Sequence, residues 1–191
     1  MATIIQEIHQ YLYCQIHEKQ VKSEYMFLLD ADFQPSPDFQ QKFAAYLKHS
    51  TFNQKTAFVV PAFEYIELPA SIETRNIKQK SKADKSYSLS TFCDKYEPYV
   101  ILRKTTSVPF YDERFSGYGM NKVTHITELF AANFTFTVLP DVWVLHLPHK
   151  ISTYAVEFLQ NAHQRLQNRM ERFEFIADIM NKYKIGQCYK P

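Results

Sequence analysis

Tyr25-Met26-Phe27-Leu28-Leu29-Asp30-Ala31-Asp32 is the stretch that decides the fold class. Five apolar residues in succession, stopped by two aspartates, read as a strand buried on both faces, the kind found inside a parallel sheet. Just beyond it, Ser36-Pro37-Asp38 predicts a helix start, with serine as N-cap, proline at the first helical position and an acid in the first turn. Phe39, Phe43 and Leu47 supply that helix with an apolar stripe. On the N-terminal side, Ile5, Ile8, Leu12 and Ile16 recur at helical spacing and predict an amphipathic helix over 3–19. On the C-terminal side, further strands are expected at 57–61, 99–103, 134–139 and 142–145, and a helix over 121–132 with Val123, Ile126 and Phe130 inward. Between 64 and 97 the periodicity is poor, as in a long functional loop. Residues 150–183 form a helical segment, one helix or two, with Tyr154, Phe158, Ala162, Leu166, Met170, Phe173 and Ile176 toward the body. Helix and strand alternate through 191 residues without a repeat or a linker. That pattern predicts a single α/β domain, a mostly parallel sheet flanked by helices.

Composition removes several functions. Three glycines stand where about 13 would be usual. Gly117, Gly119 and Gly186 cannot form G-x-G-x-x-G or G-x-x-x-x-G-K-[ST], so any phosphate chemistry needs something other than a glycine cradle. A net charge of +2 lacks the clustered basic excess of a nucleic-acid surface. The densest basic stretch, 78–85, is interrupted by Asp84 and reads as a solvated loop. Cys14, Cys93 and Cys188 show neither C-x-x-C spacing nor an even count, which points away from a disulfide framework or a zinc knuckle. No run reaches the ~18 apolar residues of a membrane span, and the N-terminus lacks the regions of a signal peptide.

Three constellations carry chemistry. Asp30 and Asp32 sit at the carboxyl end of a buried strand, where sheet proteins gather ligands. Two carboxylates there suit magnesium or manganese, which takes up diphosphate oxygens and offsets their charge. With eight aspartates, D-x-D arises by chance about 0.3 times in such a chain, so its position carries more weight than the tripeptide. His146 closes the run Val142-Trp143-Val144-Leu145-His146, and His149 follows three residues later. Imidazole is a ligand for borderline metals, though a lone histidine at a strand end is also an ordinary rim residue. The third is Tyr111-Asp112-Glu113-Arg114-Phe115-Ser116-Gly117-Tyr118-Gly119-Met120-Asn121-Lys122. Its glycines permit a sharp turn, its aromatic rings suit stacking on sugars, and its carboxylates accept hydroxyl protons. The same composition also suits a glycine turn before a helix with aromatics packed below.

In order along the chain, Phe27–Asp32, Tyr96-Glu97-Pro98-Tyr99-Val100-Ile101, the 111–122 segment with His125 and Glu128-Leu129, and Val138-Leu139-Pro140 followed by His146-Leu147-Pro148-His149 resemble glycosyltransferase family 49. The likeness is greatest to members that add glucuronate to the glycan of dystroglycan, and it runs from about residue 20 to about 180. The resemblance implies a GT-A fold, a UDP-sugar donor (UDP-glucuronate in particular), manganese or magnesium, a glycan acceptor and inversion at the anomeric carbon. It makes Asp30, Asp32 and His146 the metal ligands, and Tyr111, Gly117, Tyr118, Gly119, Asn121 and Lys122 the substrate-facing residues. An acidic base follows such a glycine turn in many inverting enzymes; Asn121-Lys122 occupies that place here, leaving Asp112 or Glu113 as base. The resemblance also implies a Golgi location, whereas a complete chain without signal or anchor would be cytoplasmic. Only ~24 residues precede the D-x-D strand, so the uridine-binding front of the domain is expected to be missing. The exposed sheet edge would then call for a dimer or partner chain. Two rival readings follow: a non-catalytic carbohydrate- or partner-binding remnant, and a metal-dependent phosphodiesterase.

Overall fold

The computed structural model describes residues 2–7, 22–64, 85–89, 96–115 and 119–185. Strand β1 is Ala2–Glu7, β2 is Tyr25–Asp30, β4 is Thr56–Val60, β6 is Tyr87–Ser88, β7 is Tyr99–Arg103 and β8 is Thr135–Val138. They form one sheet in the order β1-β2-β7-β4-β8-β6. β1 pairs in parallel with β2, and β4 with β8, while β7 runs antiparallel to both β2 and β4, and β6 to β8. Four strands therefore share one direction and two oppose it. The sheet is mixed, which the sequence leaves open, since a continuous apolar run marks burial on both faces and not direction.

Side-chain alternation splits the core in two. Helix α1, Phe39–His49, covers one face, where Phe39 and Phe43 pack on Phe27, Leu29, Phe58, Val60 and Ile101. Helix α2, Asn121–Ala131, covers the other, where Ile126 and Leu129 meet Met26, Ala57, Val59, Leu102 and Phe136. All five residues of β4 are buried, as expected between two helical layers.

Three expectations are corrected. Ala2–Glu7 is a strand, not the start of a helix; its β-branched Thr3, Ile4 and Ile5 favour extended backbone, and tertiary pairing overrode the helical spacing. Ile8, Leu12 and Ile16 lie outside the described residues. This strand covers the edge of β2 and is itself the outermost strand of the sheet. Next, α1 begins at Phe39 rather than at Pro37. Ser36 is buried and bridges to Trp143, its N–H donating to the Trp143 carbonyl at 2.8 Å and its hydroxyl accepting from the Trp143 N–H at 3.3 Å. Asp38, at φ 58°, takes the cap position without a side-chain hydrogen bond.

The C-terminal segment forms two helices, α3 at Thr153–Gln160 and α4 at Ala162–Tyr183, and the correction there concerns the face that packs. Asn161 breaks them and caps α4, its side chain accepting from the Gln164 N–H. Leu166, Met170 and Phe173 face solvent, and Asn168, Phe175 and Ile179 are buried instead. Polar ties select that face. The buried carboxylate of Glu128 accepts from Lys182 Nζ at 2.7 Å and Tyr183 Oη at 3.0 Å, and Arg114 reaches Asp178 at 2.7 Å. Phe115 then closes edge-on against Phe175.

A second, smaller sheet positions the site. β3 (Phe33–Pro35), β5 (Ala62–Glu64) and β9 (Val144–His146) associate in the order β3-β9-β5. Its register sets Phe33 opposite His146 on one side and Glu64 opposite His146 on the other.

Candidate active site

The two aspartates of the D-x-D stretch go separate ways. Asp30 Oδ2 accepts from Tyr99 Oη at 2.6 Å and from Lys122 Nζ at 2.5 Å. Burial pushes the Tyr99 hydroxyl well above its ordinary range, with the Asp30 charge adding to it, so the tyrosine remains a donor. Asp32 lies past the strand end, where its carbonyl accepts the Leu147 N–H at 2.7 Å and extends the β3–β9 pairing by one residue. Its Oδ2 stands 2.9 Å from His149 Nε2 and 3.3 Å from His146 Nε2, and the two imidazole nitrogens are 3.0 Å apart. Asp32 Oδ1 is buried without a hydrogen-bond partner.

Proton bookkeeping decides what that cluster wants. A carbonyl only accepts, so the contact of His149 Nδ1 with the Lys150 carbonyl at 2.7 Å places the proton on Nδ1. The carboxylate of Glu64 likewise accepts from His146 Nδ1 at 2.7 Å. With those protons on Nδ1, a ring that carries no second proton presents its Nε2 lone pair to the other ring and to the Asp32 carboxylate. Three acceptors cannot satisfy one another. A proton on one Nε2 relieves this in part, and the His146 imidazole is indeed held above its ordinary value, by the Glu64 hydrogen bond first and by Asp32 after it. A divalent cation satisfies all three, and a set of two imidazoles and one carboxylate suits manganese better than magnesium. Asp32, His146 and His149 thus bring together three atoms that could hold one metal ion, whereas Asp30 pairs with Lys122.

The other candidate residues are held by the fold. Asp112 forms a fork with Arg114, accepting from Nε at 2.9 Å and Nη2 at 2.8 Å, and the Arg114 hydrogen bonds keep its carboxyl below the usual range. An anion so firmly paired is a poor proton acceptor at neutral pH. Glu113 is exposed beside it. Tyr111 stacks on His125, ring centroids 4.1 Å apart. Asn121 is buried and its Oδ1 accepts the Lys122 N–H at 2.8 Å. Gly119 has φ +91°, a conformation that favours glycine, and a Cβ there would meet Phe158 and Asn168 of the C-terminal helices. Gly117 and Tyr118 lie outside the described residues.

His125 gives a pH signature. Its ring is buried and Nε2 donates to the Pro109 carbonyl at 3.0 Å, so burial lowers its pKa to about 4. The unfolded chain therefore takes up this proton first on acidification. Stability is complete above the ordinary value of 6.5 and falls by about 1.4 kcal/mol per pH unit as pH drops from there toward about 4. Urea denaturation at neutral and mildly acidic pH is expected to show this slope in the native sequence. In His125→Gln, whose amide keeps a donor for Pro109, that slope should be smaller by about one proton's contribution, about 1.4 kcal/mol per pH unit.

With this geometry in place, the likeness to known proteins can be assigned. A family model described as glycosyl-transferase for dystroglycan matches residues 16–75 and 70–184. The chain belongs to glycosyltransferase family 49. Among its relatives, xylosyl- and glucuronyltransferase LARGE1 of Mus musculus is 31% identical over 197 residues, covering 86% of this chain and 25% of the relative. LARGE1 of Homo sapiens is 30% identical over the same share of both chains, and LARGE2 of Mus musculus is 31% identical, with 28% of the relative covered. The chain thus spans about a quarter of the length of these relatives. Two solved structures, GalNAc-T7 with UDP, GalNAc and Mn2+ and TarS of S. aureus, each align with a TM-score of 0.47. Their identities are 10% and 12%, covering 76% and 88% of this chain and 33% and 30% of theirs.

Within this family-49 chain, the cluster contains Asp32 and His146 of the residues expected from sequence, and adds His149 in place of Asp30. The His-x-x-His spacing was the available signal for it. Glu64 gave no local signal, because only the pairing of β5 with β9 brings it to His146.

Proposed function

We propose that this chain is a catalytic segment of a metal-dependent GT-A glycosyltransferase, moving glucuronate from UDP-glucuronate to a glycan acceptor with inversion. One observation carries the reading: just past the end of β2, Asp32 gathers with His146 and His149 so that three potential ligand atoms lie within 4.8 Å of one another. A divalent ion held there would offset the charge that builds on a departing diphosphate. Asp30 and Lys122, joined through Oδ2, would face the donor beside it and orient its polar groups. Tyr99 holds Asp30 in place. Of the two carboxylates offered as base, Asp112 is committed to Arg114, so Glu113 takes the acceptor proton in this reading. Among the described residues no helix is long and apolar enough to cross a membrane; a Golgi setting belongs to the proposal through the family.

The test is transfer itself. Incubation with UDP-glucuronate, Mn2+ and a xylose-terminated glycan should release UDP and yield a β-linked product, with chelation stopping both. Binding of the glycan that ignores chelation, with no UDP released, would instead identify a carbohydrate-binding remnant. UDP-glucuronate cleavage without transfer would identify a hydrolase.

A further inference from the structure

We propose that Glu64 is a positioning residue that aims His146 at the metal site. The inference rests on the reading of Asp32, His146 and His149 as metal ligands. Glu64 ends β5 and lies in register with His146 on β9, and its Oε2 accepts from His146 Nδ1 at 2.7 Å. Across the ring, Phe33 on the opposite neighbour β3 stacks on the imidazole, centroids 4.7 Å apart and planes 21° from parallel. The ring is therefore held at one edge by Glu64 and on one face by Phe33.

The edge contact does what the stack cannot. Stacking fixes the plane of an imidazole and leaves its tautomer and flip undecided. A carboxylate at Nδ1 selects the Nδ1–H form, keeps the Nε2 lone pair toward Asp32, and makes that nitrogen more basic. His149 has the equivalent arrangement through the Lys150 carbonyl. Glu64 is 75% exposed at its side chain, so as an ion pair it adds little stability. Its contribution is to orientation. Partners of this kind alter metal affinity by about 10–100-fold, and solvent around Glu64 sets the expectation at the lower end.

Mn2+ titration by calorimetry in the presence of UDP, on the full chain, tests this with Glu64→Ala, Glu64→Gln and His146→Ala. Glu64→Ala should bind Mn2+ about 10-fold more weakly, with an unchanged melting temperature in chelator. Glu64→Gln, whose amide oxygen accepts the same Nδ1–H, should recover most of that loss. Long-range 1H–15N NMR of the native protein should show His146 protonated at Nδ1. Native affinity in Glu64→Ala alongside lost binding in His146→Ala would overturn the role of Glu64 and leave the site standing. A Glu64→Gln variant as weak as Glu64→Ala would also overturn it, since charge rather than orientation would then matter. No Mn2+ binding by the native protein would overturn both the site and the inference.

Discussion

Asp32→Ala should lose at least about 100-fold in Mn2+ affinity, while Asp30→Asn should stay near the native value. Losing a ligand outright must exceed the 10–100-fold effect of losing an outer partner, which sets the lower bound. The contrast follows from geometry. Asp32 shares its Oδ2 with both imidazoles, and Asp30 directs its own Oδ2 to Tyr99 and Lys122. Asp30→Asn leaves Lys122 without its carboxylate, but both side chains are partly solvated, so folding should weaken by no more than about 1 kcal/mol. Turnover should fall in both variants, in Asp32→Ala through the metal and in Asp30→Asn through donor placement. Calorimetric titration of Mn2+, with urea denaturation as a folding control, separates the two. Equal loss of affinity would mean that both aspartates ligate.

Phe58→Ala should destabilise the fold by about 3–5 kcal/mol, a large part of the ~5–15 kcal/mol that holds a domain together. Phe58 lies in the middle of β4 and is 1% exposed. Phe43, Tyr46 and Phe52 all meet its ring edge-on, at centroid distances of 5.4, 6.3 and 4.8 Å. Helix α1 and the segment after it thus lose contacts at once, and a strand fixed on both edges cannot collapse into the gap. Phe173→Ala is the matched control. That ring is 74% exposed on α4, so its loss should change stability by less than about 0.5 kcal/mol. Urea midpoints at constant slope give both values.

Central strands were legible because burial on both faces writes itself into consecutive residues, as in 25–29 and 57–60. Helix α2 was legible from Val123 and Ile126. Direction was not, since β7 and β4 look alike in sequence yet run oppositely. The three-residue strands β3 and β5 were too short to show a period, and Phe33 and Glu64 acquire meaning only when β9 lies between them. On α4 apolar residues occur all round the helix, and the face that packs is chosen by Glu128 and Arg114, distant in sequence. The same limit applied at the site. The partners of Asp112 and Asp30 in the fold, Arg114 and the 92-residue-distant Lys122, are not written in the local sequence around either carboxylate.

If Asp32, His146 and His149 form one metal site, pulsed EPR of Mn2+ bound to the native protein should show it in the 14N couplings. Two imidazole nitrogens should couple to the ion, and His149→Ala should leave one. Bound Mn2+ with no histidine coupling, or with one that His149→Ala does not change, would contradict it.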